Sequence, residues 1–131
     1  MISQEVIDSK EEEIRERVSR LSNDDKKVFY FLVNKKIKDP DTYAVLNWLF
    51  IAGLHHFYLH KFMRGFINLS LSGISLIGIT MSLKNDSWSS FLIFLGLGVL
   101  LFFIELPQLF ASQKIVQEYN NTVMEEALLQ L

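Results

Sequence analysis

The sequence predicts an all-α integral membrane protein, a helical bundle of two to three spans preceded by an amphipathic helical arm. Three observations carry this. Charge is segregated: residues 1–42 hold ten of the fifteen acidic and nine of the thirteen basic residues. From Tyr43 to Leu83 the only formal charges are Lys61 and Arg64, and from Ser87 to Ser112 the only one is Glu105. A hydrocarbon layer ~30 Å thick needs about 20 apolar residues of helix, and the apolar stretches approach that length. A soluble domain of 131 residues would struggle to cover so much continuous apolar surface.

Composition excludes several classes. Net charge is −2 with no clustered basic face, so nucleic acid is not an expected partner. Cysteine is absent, which removes disulfides, thiolate chemistry and cysteine metal sites. The start, Met1-Ile2-Ser3-Gln4-Glu5, lacks a basic region followed by an apolar run. No cleaved signal peptide is expected, and the first internal span would direct insertion.

The first domain, residues 1–42, reads as a charged helical arm. Ile7, Ile14, Val18 and Leu21 form one stripe of a helix over residues 4–21, with spaced charges from Glu11 to Arg17. Lys10 interrupts the stripe, which argues against a long coiled coil. Ser22-Asn23-Asp24-Asp25 caps a second helix over 24–38. Its centre, Val28 to Val33, is apolar all round and flanked by lysines. That fits a helix on the membrane surface or on the bundle, and equally a buried helix of a small soluble arm.

The second domain, 43–111, is the transmembrane bundle. Pro40 cannot continue a helix, and Asp41 or Thr42 can cap the next. The first span is expected from about Tyr43 to Leu59, followed by a tight link over Lys61 to Gly65. The second, Phe66 to Leu83, carries Asn68, Ser70, Ser72, Gly73, Ser75, Gly78, Thr80 and Ser82. Such small residues let membrane helices approach closely. Lys84 to Ser87 is a polar turn, and Trp88 to Ala111 is the most apolar stretch. Trp48 and Trp88 sit near span ends, where amphipathic rings favour the headgroup layer. The third domain, 112–131, is a tail with a short amphipathic helix over 122–131, Thr122 and Glu125 having capping-box spacing.

The residues that stand out chemically lie in the bundle. His55, His56 and His60 are the only histidines and fall at the end of the first stretch. Glu105 is a carboxylate deep in the last one, and an intramembrane ionisable group is a functional candidate by default. His56 is 13 residues beyond Tyr43, roughly 20 Å along a helix, and Glu105 is 17 beyond Trp88, roughly 25 Å. Arg64 opens the returning stretch. With three spans these residues approach one membrane face, giving a polar cluster of His55, His56, His60, Arg64 and Glu105. Arg64 is the expected charge partner of Glu105, since a guanidinium is always charged and can bind a carboxylate with two hydrogen bonds. His56 is a secondary donor.

These residues resemble a known family, the two-transmembrane-helix or TM-two domain proteins, of bacterial type. The family pattern, Gly-x-His-Arg-Phe-Tyr-Leu-Gly, reads here as Gly53-Leu54-His55-His56-Phe57-Tyr58-Leu59-His60. Gly65 matches the glycine that opens the second segment, Glu105 takes the place of an aspartate, and Lys114 to Asn120 matches a basic closing stretch ending in Tyr-Asn. The departures are His56 for arginine, Glu105 for aspartate and His60 for glycine. The resemblance covers about residues 43–120 and implies a membrane domain, with no activity attached.

His56 and His60, four apart, can chelate zinc with Glu105 as a third ligand. The favoured reading makes them hydrogen-bonding residues at a helix end, with no catalytic, cofactor or metal site assigned. There is no phosphate loop, nucleophile elbow or paired-acid motif. The expected function is therefore a non-enzymatic accessory or interaction module in the membrane. Its partners are the lipid bilayer and, through the arm, another protein or a second copy. The alternative is an oligomeric channel or transporter subunit with Glu105 and the serine-rich span facing a polar path, and a metal-dependent membrane enzyme ranks third. The expected location is multi-pass, in a bacterial inner membrane. With three spans, Lys35, Lys36, Lys38 and Lys84 on the arm's side outnumber Lys61, Arg64 and Lys114, placing the arm in the cytoplasm.

Overall fold

A computed structural model describes residues 3–48 and 53–131. Its described residues form helices and no strand, and the chain divides into two compact units. One comprises the chain up to Pro40 together with Ser112–Leu131, and the other Asp41–Ala111.

The first unit packs three helices, α1 (Gln4–Ser19), α2 (Asn23–Asn34) and α7 (Ser112–Leu128). The α1 stripe falls as its spacing predicts, with Ile7, Ile14 and Val18 buried. Ser22 caps α2, its hydroxyl accepting the Asp25 N–H at 3.1 Å, and such a cap satisfies one of the four backbone donors a helix start leaves free. Ile14, Val18, Phe29, Val33 and Ala127 form the core of this unit. Asn121 donates to the Ile7 carbonyl at 2.9 Å. Asn120 satisfies Lys38 twice, accepting its N–H and donating to its carbonyl, each at 2.9 Å. Two expectations differ here. The second helix stops at Asn34, four residues early. The tail helix starts at Ser112 instead of 122, and the Thr122 hydroxyl donates to the Glu118 carbonyl at 3.1 Å inside it. Capping-box spacing is a local signal, and a helix held by Val116, Val123 and Ala127 against its neighbours runs through it.

The second unit holds α3 (Pro40–Trp48), α4 (Leu54–Tyr58), α5 (Phe62–Lys84) and α6 (Trp88–Phe110). α5 and α6 pack along one another across a short turn in which Asp86 is left-handed, φ 50°. Ser75 donates to the Phe94 carbonyl at 2.8 Å, and Gly78 lies directly under the Phe94 ring, where any Cβ would overlap it. Among the described residues these two are the helices long and apolar enough to cross a membrane. Only 22% of the apolar window of α5 and 6% of that of α6 is buried, so neither resembles the core helix of a soluble protein.

The first expected span, Tyr43 to Leu59, is not one helix. Part of it, residues 49–52, lies outside the described residues. Beyond that part, Gly53 adopts φ 58° and caps the five-residue α4. A left-handed residue cannot sit inside a right-handed helix, and glycine alone adopts that conformation without steric cost. A Cβ at Gly53 would also stand 2.9 Å from Asn68 Cβ, so glycine is required for the approach to α5 as well.

Candidate functional site

The turn at Gly53 places α4 against α5, and Gly65 lets the Phe57 ring sit on that helix. Consecutive residues His55 and His56 are thereby buried, with ring centroids 4.0 Å apart. Both face Glu105 of α6, itself 6% exposed. His55 Nε2 lies 3.0 Å from Glu105 Oε2, and His56 Nε2 lies 3.5 Å from Oε1.

Two amides complete the surroundings of the carboxylate. Asn68 Nδ2 donates to Oε1 at 2.5 Å, and Gln108 Nε2 donates to Oε2 at 2.6 Å. Each amide is oriented in turn by a hydroxyl. Ser72 donates to Asn68 Oδ1 at 3.3 Å, and Tyr43 donates to Gln108 Oε1 at 3.4 Å. The Tyr43 ring also meets His55 edge-on, centroids 5.4 Å apart. An ionised carboxylate only accepts, so an arrangement in which every neighbour offers an N–H suits it. A cleft of about 330 Å³ between α5 and α6, bordered by Ser72, Ser75, Gly98 and Phe102, reaches Glu105 from one side.

Of the five residues the sequence singles out, the structure brings together His55, His56 and Glu105. Arg64 and His60 are exposed and outside the cluster. The pairing expected of Arg64 with Glu105 is not made, because the carboxylate is enclosed by α4, α5 and the next turn of α6, while Arg64 projects from the first turn of α5. His60 is left-handed, φ 57°, and follows the end of α4. That is a helix-terminating position favouring glycine, so His60 has a conformational role and no place in a zinc pair with His56.

Two members of the cluster were not legible as such. Gln108 lies three residues after Glu105, a spacing that puts both on one helix face. Asn68 appears in the sequence only as one polar residue among several in its stretch. Asn47, one turn after Tyr43 on the buried face of α3, is fully buried with neither amide atom hydrogen-bonded. The Nδ1 of His55 is likewise buried and unpartnered. Comparisons with protein-family models, curated proteins and solved structures return no match.

Proposed function

We propose that this chain is a small, non-enzymatic membrane protein that inserts as a helical hairpin and serves as an accessory or interaction module. The observation that carries the reading is the apolar exposure of α5 and α6, with residues such as Ile77, Leu92, Ile93 and Phe103 more than half exposed. Such surface is stable in hydrocarbon and costly in water. Trp88 at the start of α6 is 72% exposed, as suits a headgroup anchor. The polar groups support the accessory role over a pore. Glu105 and Ser75 are buried and bonded within one chain, where a pore-lining residue would face outward to a shared axis. The resemblance to the TM-two family belongs to the same proposal.

Packing of the arm with the tail bears on topology. The union of α1 and α7 in one unit supports a topology with both of these helices on one side of the membrane and an even number of crossings. With α5 and α6 as the two crossings, Lys35, Lys36, Lys38, Lys61, Arg64 and Lys114 fall on the side of the termini and only Lys84 on the other. The positive-inside rule then orients the termini to the cytoplasm by a wide margin. The inward face of α1 is covered by α7. Exposed apolar side chains on α2, Val28, Tyr30 and Phe31, support this helix of the arm as the surface for a protein partner or a second copy.

The chain has no native cysteine, which makes single-cysteine labelling direct. In intact cells an impermeant reagent should label Asn85→Cys and spare both Glu13→Cys and Gln130→Cys. Labelling of positions 13 and 130 on opposite sides would refute the hairpin. One observation favours the channel reading, the serine-bordered cleft that reaches Glu105. Ion flux through reconstituted vesicles, abolished by Glu105→Gln, would establish it over the accessory role.

A further inference from the structure

We infer that His55, His56 and Glu105 form a binding site for one divalent transition-metal ion of the zinc class. The inference goes beyond the membrane role and does not depend on it. One ring nitrogen from each histidine and one carboxylate oxygen, all buried, lie within 4.8 Å of one another. His55 Nε2 lies 3.0 Å from Glu105 Oε2 and His56 Nε2 lies 3.5 Å from the other oxygen, Oε1, each separation close to the edge of a tetrahedron. For ligand bonds near 2.0–2.1 Å that edge is about 3.4 Å. Two imidazoles with one carboxylate is the donor set of three-ligand zinc sites that keep a fourth position open. Imidazole nitrogen disfavours calcium and magnesium, which select oxygen.

The surroundings fit an outer coordination shell. Carboxylates that bind metals are held by hydrogen bonds, and Asn68 and Gln108 hold this one, themselves fixed by Ser72 and Tyr43. A second observation points the same way. His55 Nδ1 and the Asn47 amide are buried without partners, and orphaned polar atoms in a native interior call for an explanation. When Nε2 binds a metal, its proton moves to Nδ1 or is lost. The moved proton becomes a donor on the ring that Tyr43 packs against. Histidines that ligate a metal commonly donate their other ring N–H.

The test uses the full chain in detergent, stripped with a chelator and titrated with Co²⁺ and then with Zn²⁺. Co²⁺ is expected to bind at one ion per chain with the intense visible bands of a low-coordinate nitrogen–oxygen site, and Zn²⁺ to displace it. Binding should release protons and tighten as pH rises, because the ligands must give up theirs. His55→Ala, His56→Gln and Glu105→Gln should each abolish the bands. Asn68→Leu should weaken binding roughly 10–100-fold, the usual effect of losing an outer-shell partner. His60→Ala should leave the bands unchanged. Absence of stoichiometric Co²⁺ and Zn²⁺ binding by the folded, helical wild-type chain would overturn the site, whatever the variants do. So would retention of the bands in His55→Ala and His56→Gln, or their loss in His60→Ala. Cysteine labelling reads the hairpin separately, so either conclusion can fail alone.

Discussion

The buried carboxylate is the most informative place to perturb the chain. Glu105→Leu removes the acceptor for three N–H groups, those of Asn68, Gln108 and His55. A buried donor left without a partner costs about 1–3 kcal/mol. The three do not weigh equally. Gln108 is only half-buried and can turn outward. Asn68 is 5% exposed and has no such escape. Removing a charge from an apolar helix returns part of the loss, since a charge at a span centre costs ~2.5–3.5 kcal/mol and Glu105 is off-centre. The net expectation is a destabilisation of about 2–4 kcal/mol. Asn68→Leu alone should cost about 1.5–3 kcal/mol, the usual worth of a hydrogen bond to a charged group. In the Glu105→Leu background the same change should be nearly neutral, because it then removes an orphan. The double variant should therefore be more stable than the sum of the single losses predicts, by about 1.5 kcal/mol or more. Reversible unfolding in mixed micelles, followed by circular dichroism on metal-free protein, gives all four corners of this cycle. Losses additive to within about 0.5 kcal/mol would refute the pairing. Arg64→Leu, at an exposed site outside the cluster, should shift stability by no more than about 0.5 kcal/mol, and a large loss would return Arg64 to the role of charge partner.

The same unfolding assay separates three further expectations. His60→Gly should stabilise the chain by about 1 kcal/mol, since a left-handed non-glycine residue stores roughly that strain, and destabilisation would mean the imidazole matters more than the backbone. Gly78→Ala should cost about 1–3 kcal/mol because the Phe94 ring must move, whereas Gly73→Ala, with open space around it, should gain up to about 1 kcal/mol from helix propensity. Equal effects at the two glycines would mean that α5 and α6 do not pack as described. Ile14→Asp buries a charge in the three-helix unit and should melt it, while the chain remains resistant to alkaline extraction from membranes. Loss of membrane association by that variant would tie the first unit to insertion.

Much of the architecture follows from local chemistry. Charge segregation separates a polar arm from apolar stretches. Ser22 with Asp25 fixes a helix start, and the Ile7, Ile14, Val18 stripe fixes the buried face of α1. The cost of placing ionisable groups in apolar surroundings is a property of residue type, so Glu105, His55 and His56 stand out without coordinates. What the sequence leaves open depends on which surfaces meet. Arg64 is the stronger charge partner by chemistry, yet it projects from the first turn of α5 while the histidines of α4 reach the carboxylate. Tyr43 to Leu59 has the composition of a span, but a single glycine, free to adopt φ 58°, turns its end into the short helix that carries the site. The tail's amphipathic pattern does not say which partner its apolar face meets. Its union with the arm rests on Ala127 and Met124 meeting Ile14 and Phe29, residues nearly the whole chain apart. Periodicity assigns a face to each helix, but only tertiary packing decides which faces are paired, because contact energy depends on shape and distance between segments that are remote in sequence.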